Sequence, residues 1–313
     1  MRNHTYPLKG GITRTKEFEK KKLASFAVNV GTKCGHDCLY CSTGAMLRMH
    51  SSFKTAGESP FGHEYSIVDP DTPERVAQDA RTIRQRGLVQ LCTVVDAWAP
   101  EAQHYQLGRR CLEAILAEPG WSVRILTKNA AVRGDFDLME RYKDRVLIGL
   151  SITAMPDKEG IIRVIEPNAS PIQDRMAVMS EARARGLRTF AMLCPLLPGV
   201  ADSPEQIDQL VQNAATWGVE EIFVEAVNQR GAGLKNCQAA LEEHGFQEEA
   251  EAICSVRRKA NWSSYVAQLV ANVQRSVRKH HDIKRLRFLL YPKRLLSKHV
   301  DQIRSDDEGV IWL

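Results

Sequence analysis

The chain has 313 residues, enough for one large domain or two ordinary ones, with 43% hydrophobic and 26% charged residues. Those proportions exclude long disorder and a collagen-like repeat, and no apolar stretch approaches a bilayer-spanning length. The net charge is only +5, from 43 Lys+Arg and 38 Asp+Glu, but Ser255–His299 alone carries +11, with 12 Lys/Arg and the single acid Asp282. A basic end on a mildly acidic body reads either as the footprint of an anionic partner or as a solvated helix face.

The first 23 residues are polar and basic, end in Lys20-Lys21-Lys22, and read as an arm or covering strand. They lack the apolar core and cleavage site of a secretory signal, so a reducing cytoplasm is expected. The eight cysteines are then metal ligands, catalysts or buried thiols rather than disulfides. Ala24–Val30 reads as a strand running into a cysteine-bearing loop, Gly31–Ser42. Ser51–Asp71, rich in Gly, Pro and Ser, reads as a long loop. Thr72-Pro73-Glu74 opens a helix to about Arg86, with Thr72 as N-cap. Strands at Leu88–Val95, Trp121–Thr127, Arg145–Ile152, Leu187–Leu193 and Glu221–Ala226 then alternate with helices. Those helices are predicted at Ala102–Ala117, Asp135–Tyr142, from Ser170-Pro171 to Gly186, and from Ser203-Pro204-Glu205 to Trp217-Gly218.

Six near-continuous apolar strands with helical crossovers predict an α/β fold with a parallel sheet. No GxGxxG or GxxxxGK[ST] follows the first strand, which disfavours an open nucleotide-binding sheet. The expectation is a partial (β/α)6 TIM-type barrel over residues 24–236, with its site at the C-terminal strand ends. An arm (1–23) precedes it, and a mostly helical basic extension (237–313), with a short last strand near Val310–Leu313, follows.

The sharpest motif is Cys34-Gly-His-Asp-Cys38-Leu-Tyr-Cys41, three cysteines within eight residues just after the first strand. Three thiolates can hold three corners of an iron–sulfur cube and leave one iron open. A zinc site needs a fourth ligand; His36 sits too close in sequence to complete a tetrahedron comfortably, and no second CxxC follows at zinc-finger spacing.

The motif, with the aromatic Tyr40 directly before its third cysteine, resembles the radical S-adenosylmethionine (SAM) superfamily. The series Thr93–Pro100, Ile125–Lys128, Gly149–Thr153, Glu166-Pro167 with Arg175, and Pro195–Gly199 resembles its spore photoproduct lyase-like branch over about residues 25–230. The resemblance implies a [4Fe–4S] cluster on Cys34, Cys38 and Cys41, with SAM chelated at the open iron. Reductive cleavage of SAM then yields a 5′-deoxyadenosyl radical that abstracts hydrogen. It implies adenine contact by Tyr40, carboxylate contact by Lys128, and ribose or methionine contact by Ser151. It also implies an electron donor of the flavodoxin or ferredoxin type.

Cys92-Thr93-Val94-Val95-Asp96 resembles the stretch whose cysteine returns a hydrogen atom to the product radical, with one extra residue before the aspartate. Cys92 is the expected donor, with Cys194 as a second candidate; Asp96 and Trp98 are expected to position substrate. Cys111, Cys237 and Cys254 fall in helical stretches and read as packing residues. The C-terminal third departs from the branch: no DNA-wedging hairpin is recognisable, and the basic run, with Arg285 and Arg287, takes its place as a candidate nucleic-acid reader. Three functions stay open at this point. They are radical chemistry on a nucleobase or nucleic acid, radical chemistry on a small metabolite or peptide, and a non-catalytic zinc or iron–sulfur nucleic-acid module.

Overall fold

The apolar runs of the sequence become parallel strands, and the cysteine loop is placed by where the first of them stops. The computed structural model describes residues 1–313 as a mixed α/β chain. Its strands are β1 (Arg2–Thr5), β2 (Thr13–Arg14), β3 (Phe26–Val28), β4 (Gly31–Lys33), β5 (Tyr65–Val68), β6 (Leu88–Leu91) and β7 (Ser122–Thr127). They continue with β8 (Val146–Leu150), β9 (Arg188–Thr189), β10 (Ala191–Leu196), β11 (Ile222–Ala226), β12 (Leu286–Leu290) and β13 (Val310–Trp312). No helix is long and apolar enough to cross a membrane.

One sheet runs β2-β3-β6-β7-β8-β9 and a second runs β10-β11-β12-β13. All neighbours from β3 onward in these two sheets are parallel. Only Phe190 separates β9 from β10, and its N–H donates to the Ile148 carbonyl at 3.0 Å. A parallel bridge between Ser151 and Met192 carries the order across the gap. Parallel neighbours need long crossovers, and these supply the helices that cover one face. Side chains alternate between faces. Val123, Ile125, Ile148, Leu193, Val224 and Phe288 point into the large helix-side core. Leu147, Phe190, Met192, Phe223 and Leu289 form a smaller cluster on the other face.

Several elements differ from expectation for identifiable reasons. The segment expected as one long loop contains the helix Ser51–Ala56 and the fully buried β5. β5 is paired by β1 from the arm and by β4, neighbours that only the folded chain supplies. The helix expected at Ala102–Ala117 is two, Pro100–His104 and Leu107–Leu116, because Gln106 adopts φ 52°. The helix Thr72–Thr82 is preceded by Asp71 at the N-cap position, and it ends earlier than expected. A helix at Glu159–Ile165 carries no clear periodic signal in the sequence. Within the basic C-terminal stretch, β12 and β13 extend the parallel sheet beside β11, so the sheet continues past residue 236.

Gly31 sets the cysteine loop against this frame. A Cβ at Gly31 would overlap the Ile67 carbonyl oxygen and crowd the Val68 Cα, both on the β5 backbone. Gly31→Ala is therefore expected to force β4 off β5 and cost about 1–3 kcal/mol, read as a lower urea midpoint. An unchanged midpoint would show that β5 yields freely.

Candidate active site

The loop Cys34–Cys41 leaves β4 and is pinned from three directions. The Gly35 N–H donates to Glu101 Oε1 at 2.8 Å, and the Leu39 N–H donates to the Ile165 carbonyl at 2.9 Å. Asn168 Nδ2 donates to the Gly35 carbonyl at 2.9 Å. Asp37, with φ 52°, accepts from the Glu64 N–H at 2.8 Å and pairs with Lys33 at 3.2 Å and His63 at 3.0 Å. Burial works against its charge, yet these partners lower its carboxyl to about 2.

His36 points back into the protein. Its Nε2 lies 2.9 Å from Asp96 Oδ2 and its Nδ1 3.1 Å from the Asn168 carbonyl, so both ring nitrogens are engaged. Burial disfavours the imidazolium, but the Asp96 carboxylate outweighs it and raises the His36 pKa.

A second hub lies beneath Tyr40. Glu166, fully buried, accepts from Arg175 Nη2 at 2.5 Å, from Thr153 Oγ1 at 3.0 Å and from the Tyr40 hydroxyl. Lys128 Nζ stands 3.4 Å from Glu166 Oε1 and 5.7 Å from the centre of the Tyr40 ring. Burial would raise the Glu166 carboxyl, but Arg175 and Lys128 hold it at about 2. Arg175 also donates to the Ser151 carbonyl at 3.0 Å, tying Ser151 to the same hub. The Lys128 ammonium is buried without a hydrogen-bond acceptor in good geometry. A buried ammonium in that state is an open demand for an acceptor.

Strand alternation places the C-terminal ends in one row. On the face opposite the helix-side core, Arg124, Leu126 and Lys128 succeed one another along β7, and Leu147, Gly149 and Ser151 along β8. Met192 and Cys194 follow on β10, and Phe223 and Glu225 on β11. Lys128, Ser151, Cys194 and Glu225 thus stand together at the strand ends. Cys194 Sγ lies 3.8 Å from Glu225 Oε2, and burial raises the Glu225 carboxyl, partly offset by Lys21.

The other expected residues fall elsewhere. Cys92 follows the last residue of β6 in a left-handed conformation, φ 54°, which breaks the alternation. It is buried in the same helix-side core as Cys111, and burial pushes its thiol well up. Asp96 does not face a substrate space, because it is buried and accepts from His36, Thr127 Oγ1, and the Lys128 and Trp98 N–H groups. Trp98 is 3% exposed and donates its indole N–H to Asp135 at 2.8 Å, as a packing residue does. Arg285 and Arg287 lie at the opposite, N-terminal end of the strands. Arg285 donates to the Glu220 carbonyl at 3.3 Å. Arg287 lies 3.1 Å from Glu221, which also takes Arg124 at 2.8 Å.

The sequence offers Glu166 and Arg175 without a role, and it gives no hint of Glu101. A glutamate in the first turn of a helix is so common that its position carries no signal.

The donor set fits an iron–sulfur cluster. Cys34 is half-buried, Cys38 buried and Cys41 exposed, and all three are free. Burial raises Cys38 to about 12 and Cys34 well above its ordinary value, so their thiolates require a nearby cation. No three His, Cys, Asp or Glu side chains converge to hold a single metal ion. In a cluster each thiolate takes its own iron and no such convergence is needed. With both nitrogens of His36 engaged, the loop's only histidine is not available as a fourth zinc ligand.

Comparison with known proteins finds relatives in sequence and in fold. The chain is 27% identical over 246 residues to the uncharacterized protein ORF301 of Acidianus two-tailed virus, covering 76% of this chain and 77% of that protein. It is 26% identical over 220 residues to an uncharacterized protein of Mycobacterium tuberculosis, covering 66% of this chain and 60% of the relative. A structure of spore photoproduct lyase complexed with dinucleoside spore photoproduct superposes with TM-score 0.59 at 16% identity, covering 89% of this chain and 79% of that one. A mutant of the same lyase with bound AdoMet and dinucleoside spore photoproduct gives TM-score 0.56 at 16% identity, covering 87% and 85%. At that identity the likeness is one of fold. The family model of the radical SAM superfamily matches residues 28–211, more than half of the chain and all of the cysteine loop, and the protein belongs to that superfamily.

Proposed function

We propose that this protein is a radical SAM enzyme built on a partial (β/α)6-type barrel that acts on a nucleobase or nucleic acid. Cys34, Cys38 and Cys41 would hold a [4Fe–4S] cluster. When bound, the cluster would supply the electron for reductive cleavage of SAM, the source of a radical able to abstract hydrogen from the substrate. The observation that carries this reading is Lys128. Its ammonium is buried beside the cysteine loop, paired with Glu166 and set over the Tyr40 ring, and none of its N–H donors makes a hydrogen bond in good geometry. The carboxylate of SAM would satisfy it, Tyr40 would contact the adenine, and Ser151, beside Lys128, would meet the sugar with its hydroxyl. If a thiol returns hydrogen to the product, Cys194 occupies the row of strand ends and Cys92 does not. An electron donor of the flavodoxin or ferredoxin type belongs to this proposal, and the exposed Cys41 lies on the outer side of the loop it would approach.

Anaerobic reconstitution tests the proposal. The expected result is a brown protein with iron and sulfide that cleaves SAM under reduction; a colourless zinc protein would overturn it. Within that frame Lys128→Ala is expected to weaken SAM binding by about 1.5–3 kcal/mol, roughly 10- to 150-fold, while iron and sulfide stay at the parent level. Unchanged affinity by calorimetry would remove Lys128 from the site.

A further inference from the structure

The +11 of the C-terminal stretch does not form one patch. Arg278 pairs with Asp306 at 2.7 Å and Lys279 with Asp208 at 2.8 Å, so part of it is neutralised on the outside of the helix Lys259–His280. Arg285 and Arg287 are used at the N-terminal strand ends. Lys293 and Arg294, just past the other end of β12, line a cavity of about 550 Å³. That volume lies within the roughly 300–1,000 Å³ of small-molecule sites.

The cavity has a cationic excess, with six Lys and Arg side chains against the two carboxylates Glu17 and Glu225. Its wall is shared by the arm helix Lys16–Lys20, which brings Lys16 and Lys20 with Lys21, and by the loops after β11 and β12, which bring Arg230, Lys293 and Arg294. Of these six cations only Lys21 has a carboxylate within ion-pair distance, Glu17 at 3.8 Å. Arg294 is fixed instead by the neutral Gln229 at 2.7 Å. Like charges gathered around one space repel one another, and an anion in that space relieves the repulsion.

The same cavity carries aromatic surface. Tyr291, directly after β12, lines it with Lys21 Nζ 5.7 Å from its ring centre, and the mostly buried Trp262 forms part of its wall. Glu225 lines it as well and reaches Cys194 at 3.8 Å, so the cavity opens beside the row that contains Ser151 and Lys128.

We infer that this cavity is where the substrate enters, that it takes a nucleotide unit, and that Lys293, Arg294 and the arm lysines grip the phosphate while Tyr291 faces the base. This inference rests on the function proposed above and deepens it by locating the substrate. The phosphate can belong to a free nucleotide or to a single nucleic-acid strand. Phosphate neutralisation and aromatic stacking serve both. An acidic peptide would answer the charge but leave the aromatic wall without a flat partner.

Calorimetry on the full-length protein with thymidine, thymidine monophosphate and a single-stranded oligothymidylate tests it across a range of salt. The monophosphate is expected to bind more tightly than the nucleoside. For the oligomer, tighter binding than the monophosphate identifies a strand as ligand, and equal binding identifies a free nucleotide. Lys293→Ala/Arg294→Ala should weaken phosphate-dependent binding on the order of tenfold. It should also flatten the oligomer's salt slope by about 0.7 for each phosphate no longer neutralised. Lys293→Arg/Arg294→Lys should keep the parent affinity. Arg285→Ala/Arg287→Ala, at the far end of the strands, should bind as the parent does. Equal binding of nucleoside and nucleotide, equal weakening in both Ala pairs, or a polyglutamate peptide binding as tightly as the oligomer would overturn the inference. A parent protein that cleaves SAM but binds no nucleotide overturns this inference and the nucleic-acid substrate with it, and leaves the radical SAM chemistry standing. A protein without a cluster overturns the proposed function, and nucleotide binding is still read separately.

Discussion

Replacing any one of Cys34, Cys38 or Cys41 by Ala is expected to remove iron, sulfide and SAM cleavage together. The three thiols are free, lie on one pinned loop, and have no histidine within that loop with a spare ring nitrogen to substitute for a missing sulfur. A cluster held at three corners gives up a third of its protein ligation with each substitution. The loop itself should survive, because its fixing bonds come from Glu101, Ile165, Asn168 and Asp37 rather than from the thiols. Circular dichroism and the urea midpoint should therefore stay close to the parent while the brown colour disappears. Cys111→Ala, buried in the helix-side core, is the control that should keep the cluster. A single variant of the triad that retains full iron and sulfide would refute the assignment.

Glu166→Gln is expected to carry a large stability cost. The carboxylate is fully buried and answers two cations, Arg175 at 2.5 Å and Lys128 at 3.4 Å. Removing one member of a buried ionic group leaves its partners uncompensated, at a cost of about 3–5 kcal/mol. The pH dependence has a defined sign. The Glu166 carboxyl sits at about 2 in the folded protein against an ordinary 4.5. A carboxyl depressed on folding contributes its full stability above its unfolded value and loses it as pH falls toward the folded one. The gap in urea stability between parent and variant should therefore be full at neutral pH and narrow between about pH 4.5 and 2. A gap of the same size at pH 7 and pH 3 would mean that shape, not charge, accounts for it. Because Glu166 also steadies Tyr40 and Lys128, the variant should bind SAM more weakly even at temperatures where it remains folded.

The cysteine spacing, Tyr40, and the alternation of apolar runs with capped helices are all legible in the chain. These are local signals: a loop of eight residues holds the three thiols whatever surrounds it, and Ser203 caps its helix through the Gln206 N–H three residues away. Parallel strands buried on both faces also announce themselves as unbroken hydrophobic runs. Lys128 and Ser151 are legible at adjacent strand ends for the same reason, since each follows directly from where its strand stops.

Long-range pairing and backbone handedness decided the rest. β5 is a strand because β1, about sixty residues away in the chain, lies beside it. Cys92 leaves the row of strand ends because one left-handed residue turns its side chain into the helix-side core, a choice no spacing rule records. The basic run reads as one surface in the sequence, yet β12 passes through it and sends Arg287 and Lys293 to opposite ends of a strand roughly 16 Å long. The sequence by itself determined the spacing of the three cysteines and the class of fold, because both are written in neighbouring residues. Only the tertiary structure decided which acid serves as hub, which thiol stands at the strand ends and which cations share a cavity, because each depends on residues that meet only after distant strands have paired.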